Sequence, residues 1–272
     1  MRRRLEPNYL CMNDRCIVFI DSGIGGLPYY AYFVERNPHI RALYIADRAH
    51  FPYGGKSKEE LVFLLSALVA QTIEKCNPAI IVLACNTASV SALPELRKRF
   101  EGILFVGTVP AVKPAILASK AGHIGVLGTA RTIEDSYIGG LAASTGKDCK
   151  VTRIAAPELV EFVENSFLHA SDEEKMHITK KYIDQFRAVG VDAVVLGCTH
   201  FLFLLPEFKQ AATGDIAVYD SIEGVCGRVE SLMKTKNENI ALVTGNNQVE
   251  DKWREVAALY NLKAYKFEDF DG

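Results

Sequence analysis

The sequence has no uninterrupted apolar run of the roughly 18 residues that a membrane-spanning helix requires. Arg2, Arg3 and Arg4 open the chain, but no long apolar segment follows them, so a secretory leader is not expected. There is almost no excess of charge of either sign. Lys and Arg total 31 against 33 Asp and Glu, a formal net charge of -2. Such a balance supplies no overall field to draw the molecule to nucleic acid or to an anionic membrane. No two of the seven cysteines stand in C-x-x-C spacing, which removes the usual zinc-ribbon and thioredoxin patterns. Their odd number in 272 residues also speaks against a disulfide scaffold. His50, His123, His169 and His177 are scattered without ligand spacing, and Cys198-x-His200 offers only two ligands, so no metal is expected. These absences lead to the expectation of a cytoplasmic globular protein with no nucleic-acid or membrane partner.

Hydrophobic residues make up 49% of the chain, the opposite of a disordered composition. A chain of this length buries roughly 70–75% of the surface it exposes when unfolded. Runs rich in Ile, Val and Leu predict strands over Cys16–Ile20, Ala42–Ile45, Ala79–Leu83, Ile103–Val106, Ile124–Leu127, Val151–Ala155, Ala193–Leu196, Ala217–Tyr219 and Ile240–Val243. Their nearly continuous apolarity suits strands buried on both faces of a parallel sheet. Helical patterns alternate with them. Ser57 with Glu60, and Ser171 with Glu174, predict capping boxes. Leu61, Leu64, Leu65 and Leu68 follow the first, and His177, Ile178, Tyr182 and Ile183 the second, at helical spacing. The fold class expected is α/β, doubly wound, with mainly parallel sheets.

One segment is echoed. Ile80-Ile81-Val82-Leu83-Ala84-Cys85-Asn86-Thr87 is matched by Ala193-Val194-Val195-Leu196-Gly197-Cys198-Thr199-His200. In each, four apolar residues lead to a small residue, a cysteine and two hydrogen-bonding residues. The echo suggests two related lobes; chance likeness of two buried strands is the alternative. Ligands of open α/β sheets bind outside the carboxyl ends of the strands. Both cysteines fall at such ends, as does Asp21-Ser22-Gly23-Ile24-Gly25-Gly26. The small residues Ala84 and Gly197 are expected to let a ligand approach the backbone.

Taken singly, Cys85 or Cys198 reads as a buried thiol closing a strand. Matched in context, the two suggest a pair. A thiol ionises near 8.5, close enough to neutrality to give and take protons. Asp21 is either a partner of one thiol or a turn-capping carboxylate, and His200 either serves the other thiol or is a bonded strand-end histidine. Two nucleotide-binding patterns fail. The Gly23-x-Gly25 run has Pro28 where a dinucleotide fingerprint needs glycine, and Gly55-Lys56-Ser57 has His50 where a phosphate loop needs one.

Four of these segments resemble the motifs of bacterial glutamate racemases, in order. They are Phe19-Ile20-Asp21-Ser22-Gly23-Ile24-Gly25-Gly26-Leu27, then Tyr44-Ile45-Ala46-Asp47 with Phe51-Pro52-Tyr53-Gly54-Gly55-Lys56-Ser57, then Ala84-Cys85-Asn86-Thr87-Ala88-Ser89, and Gly197-Cys198-Thr199-His200-Phe201. Ile124-Gly125-Val126-Leu127-Gly128-Thr129 resembles the strand that opens that family's second lobe. The chain departs from the pattern in places. Ala46 and Arg48 replace Gly and Thr around Asp47, and His50 stands where Arg is common. Ala156 replaces a cysteine, and the glycine usual before Thr132 is missing.

The resemblance implies that Cys85 and Cys198 are the acid and base, assisted by Asp21 and His200. Ser22, Pro52, Tyr53, Gly54, Asn86, Thr87, Thr129 and Thr199 are implied to line the substrate, with Glu164 near the site. It also implies two lobes with pseudo-twofold similarity and the site between them. The first lobe would hold residues 1–108 plus 219–272, residues 1–15 being an extension, and the second 109–218. The implied reaction interconverts L- and D-glutamate for peptidoglycan, without a cofactor, in a homodimer. Two opposed thiols suit that task, since a single base tends to restore the proton it removed. No motif for a Schiff-base lysine beside a phosphate site is present, in agreement. Aspartate racemase, with similar paired cysteines, and a thiol-based redox or binding protein on the same fold are the alternatives.

Overall fold

Strand β1 (Cys16–Asp21) is apolar up to its last residue, and all six residues are buried. In the computed structural model, which describes residues 15–134, 136–236, 240–243 and 263–266, it lies inside a four-stranded sheet. Its neighbours are β2 (Ala42–Ala46) and β3 (Pro78–Leu83), and β4 (Leu104–Gly107) completes the order β2-β1-β3-β4. Every pairing is parallel. The second sheet is built from β5 (His123–Gly128), β6 (Lys150–Ala155), β7 (Ala193–Leu196) and β8 (Ala217–Tyr219), again all parallel, in the order β6-β5-β7-β8. The two orders are topologically the same. Cys85 follows β3 and Cys198 follows β7, so the sequence echo marks equivalent strands of two α/β lobes.

Uniform apolarity holds best for the inner strands. β1, β5 and β7 are wholly buried, whereas edge strands β2, β6 and β8 are half-buried or exposed along much of their length. Edge strands pack on one side only, so their sequences tolerate Lys150, Thr152 and Arg153. On β1, Phe19 packs against Phe33 of helix α1 (Leu27–Arg36), with ring centroids 5.5 Å apart. Burying each such side chain contributes about 1.5–3 kcal/mol.

Helix α2 (Lys58–Cys76) buries Leu61, Leu65 and Val69 against the first sheet's core. Only half of the expected capping box forms at its start. Ser57 accepts from the Glu60 N–H, but the Glu60 carboxylate is taken by Lys56 Nζ at 2.9 Å. Helix α3 (Asn86–Arg99) begins directly after Cys85. The second lobe adds α4 (Val112–Ala118), α5 (Ala130–Glu134), α6 (Ser136–Ala143), α7 (Pro157–Asn165) and α8 (Asp172–Ala188). Helix α8 carries the complete capping box at Ser171 and Glu174. Its buried face holds Tyr182, Ile183 and Phe186, while His177 faces solvent. Helices α9 (Leu205–Ala211) and α10 (Ile222–Lys236) follow.

The chain divides into two compact units, Met1–Cys226 and Gly227–Gly272. Both four-stranded sheets belong to the first. Near its end, Ser221 Oγ lies 2.8 Å from Tyr29 Oη and Cys226 Sγ donates to the Tyr29 carbonyl at 3.5 Å, so this part of the chain meets α1. In the second unit β9 (Ile240–Val243) and β10 (Lys263–Lys266) pair in parallel. The extension expected over residues 1–15 lies outside the described residues except for Arg15, as does most of 227–272.

Candidate active site

The tips of the inner strands place the functional side chains. Registers of Ile20 with Leu83 and of Asp21 with Ala46 bring Asp21, Asp47 and Cys85 to one end of the first sheet. Leu127 opposite Leu196 does the same for Thr129 and Cys198 in the second. Close packing surrounds the small residues before the two cysteines. A side chain at Gly197 would put a Cβ 2.9 Å from the Leu127 carbonyl, and one at Gly26 would put a Cβ 2.7 Å from the Ala84 Cβ.

The two ends share one cavity of about 470 Å³, a size suited to a small metabolite. Ser22, Pro52, Tyr53, Gly54, Cys85, Asn86 and Thr87 line it from the first lobe, and Thr129, Cys198, Thr199 and His200 from the second. Asp21 and Glu164 do not line it; both lie behind this wall. Asp21 is fully buried, accepting from Gly23 N–H at 2.7 Å and from the Thr199 hydroxyl at 3.4 Å. Glu164 of α7 accepts from Ile24 N–H at 3.0 Å, and the same oxygen lies 2.8 Å from His200 Nε2.

The two thiols have different surroundings. Burial pushes the Cys85 thiol well above its ordinary value, and the Asp21 carboxylate adds to this. The N–H groups of Ala88 and Thr87, in the first turn of α3, act in the opposite direction. Cys85 therefore carries its proton in the ligand-free protein. The Cys198 sulfur lies 3.8 Å from His200 Nδ1. Burial alone disfavours charge on His200, but Cys198 and Glu164 outweigh it and the imidazole is pushed up to about 10. An imidazolium thus faces Cys198, held from behind by a carboxylate.

The two carboxylates beside His200 are driven apart. Burial raises Asp21 against the opposing pull of His200 and Gly23. At Glu164 burial also raises the pKa, but hydrogen bonds from His200 and Ile24 prevail and lower it. Divergence of neighbouring groups is how a site divides acid from base roles. Of the pair, Glu164 is the carboxylate that gives up its proton more readily.

Two glycines are dictated by this packing. A Cβ on Gly23 would fall 2.0 Å from Glu164 Oε1, and one on Gly25 would fall 2.5 Å from His200 Nδ1. The glycine run after β1 thus clears space for the histidine and its carboxylate, whereas a nucleotide loop would use it for phosphate.

Among the described residues lining the cavity there is no lysine or arginine. An anionic ligand would be met by hydroxyls, amides and the positive end of α3. Both side-chain polar atoms of Asn86 are buried with no partner among the described residues, unusual enough to ask for a ligand. Thr87 and Thr129, one from each lobe, bring their hydroxyls within 3.3 Å. Tyr53 is fixed by donating to Asp47 at 2.7 Å, and His50 Nδ1 lies 2.9 Å from the same carboxylate. The sequence reading did not name Phe51, Thr132, Val160 and Glu161, which also line the cavity, as site residues, and noted Arg48, which bonds Glu164 at 2.6 Å, only as a departure from the family pattern. Phe51 sits in the quoted motif and could have been found; the departure at Arg48 was visible, but nothing local pointed to its contact with Glu164.

A profile of the family described as Asp/Glu/Hydantoin racemase matches residues 38–226. The chain is similar to the glutamate racemase of Treponema pallidum (strain Nichols), at 37% identity over 220 residues, covering 81% of this chain and 82% of that one. It is also similar to the glutamate racemase of Pasteurella multocida (strain Pm70), at 36% identity over 256 residues, covering 91% and 94%. In three dimensions it resembles the crystal structure of Escherichia coli glutamate racemase in complex with L-glutamate and the activator UDP-MurNAc-ala. The TM-score is 0.74 at 30% identity, over 93% of this chain and 98% of that one.

Proposed function

Because the chain belongs to the Asp/Glu/hydantoin racemase family, we propose that it interconverts L- and D-glutamate by passing protons between Cys85, Cys198 and the substrate's α-carbon. The observation that carries this reading is that two thiols at equivalent strand ends of two lobes border one small cavity. In one direction the Cys198 sulfur, beside the His200 imidazolium, removes the α-proton. The C–H bond breaks and an S–H bond forms. Cys85, which already holds a proton, returns one to the other face, so an S–H bond breaks and a C–H bond forms. The reverse reaction starts from the swapped protonation.

The α-proton is weakly acidic, so developing negative charge needs donors fixed in advance. Asn86, Thr87 and Thr199, which line the cavity, would supply them around the substrate carboxylate together with the first N–H groups of α3. No Lys or Arg stands among the described lining residues, and the cation that faces Cys198 is the His200 imidazolium, whose charge is shared with the Glu164 carboxylate behind it. D-glutamate made in this way would serve peptidoglycan synthesis in the cytoplasm.

The test is incubation of each enantiomer with the purified protein in deuterium oxide, without added cofactor. Expected is early deuterium at the α-carbon of the product enantiomer, with little in the recovered substrate. Deuterium accumulating only in the starting enantiomer would defeat the two-thiol scheme. Exchange of aspartate but not glutamate would select aspartate as substrate.

A further inference from the structure

Arg48 follows β2 in the first lobe, and Glu164 belongs to α7 in the second. Arg48 Nη1 donates to Glu164 Oε2 at 2.6 Å, while Glu164 Oε1 serves His200 and Ile24. His200 in turn faces Cys198. Four side chains from both lobes thus form one file, Arg48–Glu164–His200–Cys198. The arginine side chain is 56% exposed and the glutamate side chain 5%. An ion pair with one end so open to water adds little to stability. Its guanidinium also lies over the ring of Phe51, 4.5 Å from the centroid, and Phe51 borders the cavity. Arg48 therefore grips a buried carboxylate from one side and a cavity wall from the other.

We propose that Arg48 is a positioning residue: by clamping Glu164 across the lobes it holds His200 against Cys198 and sets that sulfur's readiness to act as base. The proposal rests on the two-thiol reading above. With both oxygens engaged, Glu164 cannot turn from His200, so Nε2–H stays directed at it and Nδ1 at the sulfur. Besides Arg48 and His200, Glu164 is faced by Asp21 and by Tyr44, and neither changes in the variants below.

Arg48→Ala and Arg48→Lys are compared with the unaltered protein in two assays. The first is the pH profile of kcat/KM for glutamate in both directions. Arg48→Ala is expected to lower kcat/KM roughly tenfold, the effect of losing one charged hydrogen bond. The loss must be equal in both directions, since enantiomers have an equilibrium constant of one. Its acid limb should move to higher pH, because Glu164, left with His200 as its remaining cationic partner, takes up a proton sooner. Arg48→Lys should return the limb toward its original position. The second assay follows alkylation of Cys198 by iodoacetamide against pH, read by peptide mass, and needs no racemisation. In Arg48→Ala labelling should shift to higher pH. A lower kcat/KM with neither profile moved would mark a plain structural tie and overturn the proposal, as would an unaltered Arg48→Ala. An inactive unaltered protein whose Cys198 labelling still responds to Arg48→Ala would overturn the glutamate reading and support the coupling.

Discussion

His200 Nε2 sits 2.8 Å from Glu164 Oε1 with both side chains almost fully buried, so the imidazole is charged where burial would otherwise discharge it. The pair has a consequence for stability. The folded protein holds the His200 proton up to about pH 10, whereas an unfolded histidine releases it near 6.5. A raised folded pKa gives stability that is complete below about pH 6.5 and is lost as pH rises through about 10. Melting temperature should therefore fall across this window in the unaltered protein and fall less steeply in His200→Asn. Parallel curves for the two proteins would show that His200 is not charged in the native state.

Either thiol is expected to be indispensable to turnover and dispensable to folding. Cys85→Ala and Cys198→Ala each remove one buried sulfur from a cavity wall, a change of about 1 kcal/mol in stability. Loss of a general acid or base costs on the order of 10²–10⁴ in rate. Racemisation followed by circular dichroism should collapse while the urea midpoint stays close to the original. Retained racemisation in either variant would mean that the other sulfur works alone.

The inner strands were legible because burial on both faces demands unbroken apolarity, as in Ile80–Leu83 and Ala193–Leu196. Strand β10, Lys263–Lys266, was missed because its charged ends carry no such mark. Cys85 and Cys198 could be found because a polar tip after an apolar strand is a local pattern. Arg48 could not. Its partner Glu164 lies 116 positions away, and nothing near Arg48 announces the contact. The half-formed box at Ser57 is a smaller case: the pattern was present, but Lys56, one residue upstream, captured the Glu60 carboxylate.

Gly25 offers a test of the space around His200. Its φ is not in the positive region, so alanine meets no backbone penalty there. The added Cβ would instead crowd His200 Nδ1 at 2.5 Å and Thr199 Oγ1 at 2.6 Å. Displacing the histidine by an ångström is enough to cost about 10² in rate. Gly25→Ala is expected to show such a loss in kcat, while Gly102→Ala, whose Cβ meets nothing within 4 Å, is expected to be unaffected. Full activity in Gly25→Ala would mean that His200 can move without consequence.

Asn86 should behave oppositely in two measurements. Its amide nitrogen and oxygen are buried without partners among the described residues, which costs about 1–3 kcal/mol per unsatisfied group. Asn86→Ala removes that cost at the first residue of α3, where alanine is acceptable, and leaves space that joins the existing cavity. The ligand-free variant should therefore melt at or above the original temperature. A ligand that pairs with the amide would lose those bonds, raising KM for glutamate roughly tenfold or more. Glutamate should also raise the melting temperature of the unaltered protein more than that of the variant, since a ligand stabilises in proportion to how tightly it binds. A variant that melts lower and binds glutamate as well as before would make Asn86 a strut of the helix start, with no part in holding substrate.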